Sequence, residues 1–361
     1  MAQLDPALEA LQARIRKAAE EGSPLRIRGG GTKDFYGGLP LGDILDTQVY
    51  AGIIEYQPNE LVLTARAGTS LAAVESAMRA RGQMLAFEPP HFGEGSTLGG
   101  AVASGLSGPR RPYAGAVRDL VLGVRVLDGT GLDLSFGGRV MKNVAGFDVA
   151  RLMTGALGTL GVITEVSLKC LPMPKAEATL EFECSADEAI RRGNEWATQP
   201  LPLSATCYHQ SRMRIRLSGA QPAVTTAITK IGGERVSSID DYWPSLRDQT
   251  HSFFAGARAA GAALWRLSVK STAPYTDLGG EQLVEWGGGL RWLAAGERTD
   301  VQRVRQWAAA NGGHATLFRA TDKRAGVFQP LDGTMHALHQ RLKAAFDPHG
   351  ILNRGRLYPD F

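Results

Sequence analysis

Residues 93–105 read Gly-Glu-Gly-Ser-Thr-Leu-Gly-Gly-Ala-Val-Ala-Ser-Gly. Two further glycine clusters lie on either side along the chain, Gly29-Gly-Gly-Thr32 before this stretch and Gly155-Ala-Leu-Gly-Thr-Leu-Gly161 after it. The chain has 44 glycines in 361 residues, whereas an average protein of that length has about 25. Because 26 of the 44 precede residue 176, the glycine excess belongs to the first half of the chain.

None of the three clusters is a familiar nucleotide motif. Leu98 stands where a Rossmann Gly-x-Gly-x-x-Gly motif needs its third glycine, and no Gly-Lys-Ser/Thr of a Walker loop follows any cluster. A glycine run nevertheless lets successive backbone N–H groups point at one place and bind phosphate oxygens. Residues 28–33, which directly follow a predicted strand at 25–28, therefore suit a pyrophosphate, and the other two clusters allow a flat ligand to lie against the backbone. The alternative is that each cluster is an ordinary turn.

Composition excludes several classes of protein. The formal net charge is +4 and no block of basic residues occurs, which argues against nucleic acid as the main partner. No apolar run reaches the roughly 18–20 residues that span a bilayer, and residues 1–6 lack the basic and apolar regions of a secretory signal. We therefore expect a soluble, intracellular protein whose three cysteines, Cys170, Cys184 and Cys207, are free thiols.

Periodicity predicts mixed α and β structure in two domains. Residues 6–21 have helical spacing that stops at Gly22, and Ser70 is a plausible N-cap for a helix over 71–81. The Pro172-Met-Pro174 breaker marks the best boundary between domains. Beyond this breaker, strands and helices alternate as in a compact α+β domain, with one strand over 205–217 and one helix over 242–260.

Three segments resemble the FAD-binding domain of the vanillyl-alcohol oxidase superfamily: Thr97–Gly105, Val117–Arg125 and Gly155–Ile163. The terminal segment 346–355, Phe-Asp-Pro-His-Gly-Ile-Leu-Asn-Arg-Gly, is similar to the closing segment of that superfamily. The resemblance implies an α+β fold, in which a two-subdomain FAD-binding domain of the p-cresol methylhydroxylase (PCMH) type precedes a smaller α+β cap. The expected domains are 1–174 for FAD, 175–345 for the cap that meets substrate or partner, and 346–361 for a segment returning to the FAD domain.

Within the superfamily, the chain most resembles the FAD-binding E subunits of bacterial glycolate oxidase. Residues 142–148, 264–268 and 312–318 carry this closer resemblance. It implies that residues 28–33 hold the pyrophosphate, that Pro89 and residues 97–105 follow the ribityl chain and ring, and that residues 158–163 close over the adenine side. The implied FAD-binding residues are Arg28, Gly29, Gly30, Gly31, Thr32, Lys33, Pro89, Thr97, Leu98, Gly99, Gly100, Ala103, Ser104, Gly105, Arg118, Asp119, Gly158, Thr159, Gly161, Val162 and Ile163.

Covalent members of the superfamily carry a histidine in or near the first glycine loop. Here that loop reads Arg-Gly-Gly-Gly-Thr-Lys over 28–33, so no residue in it can form the link. His91, near the second cluster, is a possible substitute, but its neighbours Pro89, Pro90 and Phe92 favour a packing role. We expect non-covalent FAD.

Catalytic groups are harder to find. Relatives that oxidise 2-hydroxy acids have histidine-rich loops in the cap, often with a divalent metal, and the seven histidines here form none. His336 and His339 are the only close pair; without a third ligand they favour a solvated helix face over a metal site, so we predict no metal. Arg266 is the candidate for holding a substrate carboxylate, with a surface ion pair as the alternative. His314, Met141 and Lys142 read as structural or surface residues.

The resemblance implies an FAD-dependent oxidoreductase subunit that takes part in oxidising glycolate or another 2-hydroxy acid to the 2-oxo acid. A related FAD-binding subunit would carry the histidine-rich active site, and an iron–sulfur subunit would accept electrons, since this chain has no iron–sulfur cysteine pattern. Two alternatives stay open: a non-catalytic FAD-carrying structural or electron-relay subunit, and a self-sufficient 2-hydroxy-acid dehydrogenase. We expect a cytoplasmic location, and peripheral association with the inner membrane through the complex stays open.

Overall fold

The computed structural model describes residues 5–138, 148–237 and 241–361. Met141, Lys142 and most of the 142–148 segment that carries part of the resemblance lie outside these residues. The chain divides into two compact units. The first comprises residues 1–106, 116–172 and 330–361, and the second comprises residues 107–115 and 173–329. The domain limits expected from the sequence stay a prediction.

The first unit holds the glycine-rich part of the chain. Its elements are α1 (Pro6–Glu21), β1 (Leu25–Arg28), β2 (Asp43–Asp46), β3 (Ile53–Gln57), β4 (Val62–Arg66), α2 (Leu71–Arg79), β5 (Gln83–Met84) and α3 (Leu98–Ser104). After α4 (Arg111–Ala114) of the second unit, it continues with α5 (Val117–Leu120), β6 (Val121–Leu127), β7 (Asp133–Gly137), α6 (Val149–Met153), β8 (Val162–Lys169) and β9 (Leu171–Pro172).

The elements of the second unit follow in one run. They are β10 (Ala176–Glu183), α7 (Ala186–Ala197), β11 (Leu203–His209), β12 (Arg212–Gly219), α8 (Gln221–Ile231), β13 (Glu234–Val236), α9 (Tyr242–Arg247), α10 (Ser252–Ala259), β14 (Leu264–Ser268), β15 (Gly280–Glu285), β16 (Leu290–Ala295), α11 (Val301–Ala310) and β17 (His314–Arg319). Helix α12 (Gly333–Phe346) then belongs to the first unit again.

Three sheets organise the first unit. β1 and β2 pair in parallel, and Leu352 bridges to Leu25 on β1. A five-stranded antiparallel sheet has the order β3-β4-β8-β6-β7, and β5 pairs with β9. The apolar face of α1 closes one core together with β1, β2 and the chain around Leu352, as the helical spacing of residues 6–21 predicts. This core fixes the end of β1, from which the first glycine cluster departs.

An eight-stranded antiparallel sheet organises the second unit, in the order β13-β10-β12-β11-β15-β16-β14-β17. Helices α7 and α8 cover its first half around Leu180 and Ile215, and α11 covers its second half around Trp265 and Leu293. The mixed α+β fold predicted from the sequence is confirmed.

Two predicted elements of the second unit are wrong in detail. The single strand over 205–217 is a hairpin of β11 and β12, because Gln210 (φ 48°) and Ser211 (φ 61°) form a left-handed two-residue turn without glycine or asparagine. The single helix over 242–260 ends at Arg247 and restarts at Ser252, because Gln249 adopts φ 57° and the His251 side chain caps the second helix.

Other details agree with the sequence. Ser70 caps α2, as predicted, and Gly22 ends α1 in the left-handed region. Cys170, Cys184 and Cys207 are free thiols, and burial raises the pKa of Cys170 to about 12. Among the described residues, no helix is long and apolar enough to cross a membrane.

Candidate functional site

The first glycine loop leaves β1 at the point where the ladder with β2 ends. The Thr47 N–H donates to the carbonyl of Arg28, and beyond this bond the chain turns through Gly31 at φ 72°. A Cβ on Gly30 would lie 1.7 Å from the carbonyl oxygen of Gly95. The first loop and the second glycine cluster therefore meet backbone to backbone, and a side chain on Gly30 would push them apart.

A row of unused hydrogen-bond donors follows from this loop conformation. The N–H groups of Gly29, Gly30, Gly31 and Thr32 have no acceptor within the described residues. All four residues are only partly exposed. Consecutive N–H groups without a protein acceptor, in a loop that includes a left-handed residue, are characteristic of the backbone nests that bind phosphate oxygens.

Charged side chains hold the loop in place. The Asp34 carboxylate accepts bonds from Arg26 at 2.5 Å and from Nε of Arg28 at 2.9 Å. Lys33 Nζ donates to Ser96 Oγ at 2.9 Å, so it joins the first loop to the second cluster. The positive charges of Arg28 and Lys33 thus flank the row of N–H donors, which favours an anion there.

The second cluster forms the start of helix α3. The Thr97 hydroxyl caps the helix by accepting the Gly100 N–H at 3.2 Å. Gly99 lies directly against β4, because its N–H donates to the carbonyl of Ala67 at 2.8 Å and a Cβ there would lie 2.6 Å from the Ala67 Cβ. The cluster lets the helix pack at backbone contact with the sheet, with Gly100 and Ala103 open to the groove on the other side.

The third cluster is fastened to the other end of α3. The Gly155 N–H donates to the carbonyl of Val102 at 3.0 Å, and the Leu157 N–H donates to the carbonyl of Ala103 at 2.8 Å. Gly105 ends the helix in the left-handed region, and a Cβ on it would lie 2.8 Å from the Cα of Gly155. The three clusters are thereby joined into one backbone-lined surface.

The C-terminal segment completes this surface. The Asn353 side chain accepts the Ile27 N–H at 2.7 Å and donates to the carbonyl of Leu157 at 2.5 Å. The Arg356 guanidinium donates to the backbone carbonyls of Lys33 and Gly38 at 3.0 and 2.9 Å, and burial lowers its pKa to about 10. The sequence indicated that this segment belongs with the FAD domain, but no pattern in the sequence identified Asn353 or Arg356 as residues of the site.

All these parts line a single groove of about 730 Å³, including its open mouth. The groove is lined by Ile27, Arg28, Gly29, Gly30, Gly31, Thr32, Lys33, Asp34, Thr47, Thr97, Gly99, Gly100, Ala103, Ser104, Leu157, Gly158, Gly161, Ile163, Asn353 and Arg356. Most of the FAD-binding residues expected from the sequence therefore lie together. The donor row and the absence of side chains above it fit the phosphates and flat rings of a dinucleotide.

The remaining expected residues lie outside the groove lining, and their contact with FAD stays a prediction. Leu98 and Val162 are fully buried in the core, Pro89 is buried, and Gly105 ends α3. The Thr159 carbonyl accepts a bond from Lys343. Arg118 and Asp119 are exposed on α5, where the Asp119 carboxylate accepts the Ala116 N–H at 2.9 Å.

The histidines contact nearby polar and aromatic groups. His91 Nε2 lies 3.2 Å from the Glu75 carboxylate, and His336 Nε2 lies 2.7 Å from the Asp360 carboxylate. His339 packs on Phe361, and His314 lies at the exposed start of β17. Within the described residues, no group of three or more histidine, cysteine, aspartate or glutamate side chains could hold a metal.

Arg266 lies in the second unit, on β14. Its guanidinium carbon is 5.2 Å from the centre of the Trp286 ring, and that of Arg111 is 4.5 Å from the same centre. Trp286 itself adopts φ 57° and donates its indole N–H to the carbonyl of Gly108. Two cationic groups thus lie at one buried indole ring.

Comparison with known proteins identifies the family. Glycolate oxidase subunit GlcE of Escherichia coli (strain K12) is 46% identical over 353 residues, covering 98% of this chain and 97% of the relative. The chain belongs to the GlcE family. An FAD binding domain profile matches residues 7–136, which include the first two glycine clusters of this GlcE-family chain.

More distant relatives share part of the chain or only the fold. Glycolate oxidase subunit GlcD of Bacillus subtilis (strain 168) is 32% identical over 164 residues, covering 45% of this chain and 35% of that relative. The crystal structure of p-cresol methylhydroxylase with substrate bound superposes with a TM-score of 0.73 at 16% identity, over 98% of this chain and 87% of that one. The GlcE-family chain therefore has the PCMH-type fold that the resemblance implied, and it carries an FAD binding domain.

Proposed function

We propose that this chain is the FAD-binding subunit of a glycolate oxidase complex. It takes part in the oxidation of glycolate and similar 2-hydroxy acids to 2-oxo acids, and electrons pass on to partner subunits. The end-to-end similarity to glycolate oxidase subunit GlcE of Escherichia coli supports the substrate class and the role in a complex. The observation that carries the cofactor assignment is the row of N–H donors at Gly29–Thr32 inside the groove.

The geometry of the groove suggests how FAD is held. The donor row with Arg28 and Lys33 takes the pyrophosphate, the surface of α3 from Thr97 to Ser104 runs along the ribityl chain and ring, and residues 158–163 border the adenine side. Asn353 and Arg356 hold these loops at their mutual spacing. The bound flavin would supply the two-electron redox chemistry that no side chain of this site provides.

Attachment of the flavin is non-covalent in this proposal. The loop from Arg28 to Lys33 offers no histidine, tyrosine or cysteine. His91, the candidate nearest to the second cluster, has its Nε2 beside the Glu75 carboxylate. Retention of the flavin would therefore depend on the N–H donors and on the loops that position them.

The roles of the subunits can be inferred from the catalytic groups that this chain contains and those that it lacks. Oxidation of glycolate to glyoxylate releases two electrons and two protons, so a base must take the hydroxyl proton and an acceptor must take the electrons. The related GlcD-type subunit would supply the histidine-rich active site, and an iron–sulfur subunit would take the electrons. Arg266, with Arg111 at the same indole ring, is the group we assign to holding a substrate carboxylate in this chain.

Anaerobic flavin reduction, with and without co-expressed partner subunits, tests the proposal. We expect the isolated chain to carry FAD that glycolate does not bleach, and the assembled complex to be bleached. Bleaching of the isolated chain by glycolate or D-lactate would instead identify a self-sufficient dehydrogenase. Bleaching in a complex whose GlcE-type chain has lost its FAD would indicate a relay or structural role. A chain that takes up no FAD at micromolar concentration contradicts all three.

Fractionation of cells that contain the complex would show whether it is cytoplasmic or attached to the inner membrane.

A further inference from the structure

Asp34 is an acidic residue in a site that should bind an anion. Its side chain is 34% exposed and lines the same groove as Gly29–Thr32, whose N–H groups have no acceptor in the described part of the chain. A carboxylate in this place repels phosphate oxygens through its own charge. It can favour the binding of phosphate only through the cationic groups that it holds.

The Asp34 carboxylate holds two arginines of β1. Its Oδ2 accepts a bond from Nη2 of Arg26 at 2.5 Å and a second bond from Nε of Arg28 at 2.9 Å. Arg26 and Arg28 are two positions apart on one strand, so their side chains leave the same face and their like charges repel each other. The carboxylate offsets this repulsion and restrains both side chains. Of these two arginines, Arg28 is the one that lines the groove.

The Arg28 guanidinium lies directly against the first loop. A Cβ on Gly31 would lie 2.7 Å from Cζ of Arg28, so the guanidinium packs on this residue of the donor row. Its Nε is bonded to Asp34, whereas Nη1 and Nη2 have no hydrogen-bond acceptor among the residues that the structure describes. Two N–H-bearing nitrogens in one plane match the spacing of phosphate oxygens. The Arg28 side chain is 40% exposed, and without a restraint a side chain of this length would sample many rotamers.

The backbone of Asp34 is fixed by other contacts. Its N–H donates to the carbonyl of Gly31 at 3.1 Å, and its carbonyl accepts a bond from Nη1 of Arg356 at 3.2 Å. Neither contact uses the carboxylate. A substitution that changes only the end of the Asp34 side chain should therefore leave the first loop in place, so the role of the carboxylate can be tested apart from the fold of the loop.

We infer that Asp34 is a positioning residue for the pyrophosphate of FAD, and that its carboxylate holds the Arg28 guanidinium against the loop so that Nη1 and Nη2 can bind phosphate oxygens. The inference rests on the proposed function, because that function places the pyrophosphate at the donor row. A pre-positioned guanidinium loses less conformational entropy when the anion binds. Removing the negative charge of Asp34 should therefore weaken the binding of an anion, although charge alone predicts the opposite.

Titration of the FAD-free chain with FAD tests the inference, and quenching of flavin fluorescence gives the dissociation constant. Asp34→Asn keeps the size of the side chain and removes its charge, so Kd should rise about tenfold, as expected for a lost charge-assisted hydrogen bond. The melting temperature should change little, because partly exposed ion pairs contribute little to stability. Asp34→Glu restores the charge and should recover part of the affinity.

Asp46→Asn is the matched control. Asp46 is an exposed acid on β2, opposite Arg28 in the ladder with β1, and its carboxylate accepts the Gln48 N–H at 2.9 Å. Within the described residues, this carboxylate forms no ion pair. The control therefore removes one negative charge near the end of β1 without releasing an arginine. Its Kd for FAD should stay within about twofold of the wild-type value, since solvent and salt screen an exposed charge.

A double-mutant cycle with Arg28→Met shows whether Asp34 acts through Arg28. Arg28→Met alone should raise Kd at least about tenfold. In the Arg28→Met background, Asp34→Asn should cause no further loss of affinity and should tighten binding slightly, because the carboxylate then contributes only its repulsion. A purely structural role of Asp34 would instead weaken binding in both backgrounds. Arg28→Gln replaces Arg28→Met if the methionine variant does not fold.

Three results would overturn the inference: an Asp34→Asn variant that binds FAD as tightly as the wild type, equal losses in both backgrounds of the cycle, or a loss in Asp46→Asn as large as that in Asp34→Asn. Unchanged FAD binding by Arg28→Met would overturn it as well and would also remove the pyrophosphate from the first loop. Failure of the assembled wild-type complex to oxidise glycolate, while the cycle behaves as expected, would refute the proposed function alone.

Discussion

Lys343 Nζ lies 2.6 Å from Asp347 Oδ2, at the residue that follows the end of α12, and both groups are buried. The ammonium also donates to the carbonyls of Thr159 and Leu352, each at 2.8 Å. The Asp347 carboxylate accepts the N–H groups of Ile351 and Leu352. Burial lowers the pKa of Lys343, and the nearby carboxylate opposes that change. One ion pair thus connects the third glycine cluster with the C-terminal segment of the groove.

Replacing Lys343 by Met should lower the free energy of unfolding by about 3–5 kcal/mol, because it leaves a buried carboxylate without its counter-charge. The double variant Lys343→Met/Asp347→Asn should be less destabilised than the single one. Lys17→Met is the matched control, since Lys17 forms an exposed i,i+4 pair with Glu21 and should change stability by less than about 0.5 kcal/mol. Urea denaturation measures all three. Equal effects of Lys343→Met and Lys17→Met would contradict the assigned role.

Alanine at Gly30 should weaken FAD binding by about tenfold or more, equivalent to at least about 1.4 kcal/mol. The new methyl would lie 1.7 Å from the Gly95 carbonyl oxygen, so the first two clusters must separate. Gly256→Ala is the control, because nothing lies within 4 Å of a Cβ at that helical position. It should be neutral or stabilising by about 0.5–1 kcal/mol. Flavin absorbance per chain gives the readout.

Lys33→Met tests the junction between the first loop and the second cluster without adding a backbone clash. It removes the bond from Nζ to Ser96 Oγ and one positive charge beside the donor row. We expect the chain to fold with an unchanged circular dichroism spectrum and to bind FAD about tenfold more weakly or worse, since a hydrogen bond to a charged group contributes about 1.5–3 kcal/mol. Unchanged FAD affinity in both Gly30→Ala and Lys33→Met would show that the cofactor lies elsewhere.

Acid precipitation of the purified protein should release all of its flavin into the supernatant, since the first loop carries no residue that forms a covalent link. His91→Ala should keep the flavin content within about twofold, because His91 Nε2 lies beside the Glu75 carboxylate and His91 is not among the residues that line the groove. Absorbance of the supernatant and fluorescence of the protein band after denaturing electrophoresis measure the two fractions. A fluorescent band that His91→Ala abolishes would establish covalent attachment at that residue.

Stability should fall as the pH drops from about 6.5 towards 4, in part through His251 in the second unit. Burial, with His209 and Arg214 nearby, lowers the pKa of His251 to about 4, while Glu281 acts in the other direction. The unfolded chain therefore binds this proton first, and protonation favours unfolding over that interval, by at most about 1.4 kcal/mol per pH unit for one proton.

Asparagine at position 251 keeps a side-chain acceptor for the Phe253 N–H, which the imidazole now caps, and it does not titrate. His251→Asn should therefore flatten the fall in melting temperature between pH 6.5 and 4, whereas His349→Asn on the exposed surface should leave it unchanged. A slope that His251→Asn does not alter would assign the acid sensitivity to other groups.

Arg266→Met should raise KM for glycolate in the assembled complex by about tenfold, with a smaller effect on kcat, if this guanidinium holds the substrate carboxylate. Steady-state rates with a dye acceptor give both constants. Arg298→Met is the control, because the Arg298 side chain is 80% exposed and lies 3.5 Å from the Asp277 carboxylate. A KM that stays at the wild-type value would show that Arg266 does not hold the substrate carboxylate.

The sequence predicted the parts of the site that depend on local backbone freedom. Gly30, Gly99 and Gly105 each lie at a contact that a Cβ would obstruct, so their clustering alone indicates a surface built from backbone. Asn353 and Arg356 could not be found in this way. Their function arises from contacts with Ile27 and Gly38, more than 300 positions away along the chain, and no local pattern encodes such a contact.

The wrong secondary-structure prediction at 205–217 also results from a contact that the local sequence does not encode. Gln210 and Ser211 turn the chain between β11 and β12 with positive φ, although neither residue type favours that region. The pairing of the two strands, from His209 with Arg212 onward, stabilises the turn from outside. Local propensity therefore predicts one strand over these residues, whereas pairing in the folded chain divides them into two strands.

The contact between Asn353 and Ile27 also sets the time at which the cofactor site can exist. The donor row at Gly29–Thr32 is synthesised more than 300 residues before Asn353 and Arg356, which hold the loops around it. Until residues 353–356 have been synthesised, the chain has the glycine loops without the contacts that fix their spacing. We therefore expect the groove to gain its affinity for FAD only after these residues have folded back onto β1 and the first loop.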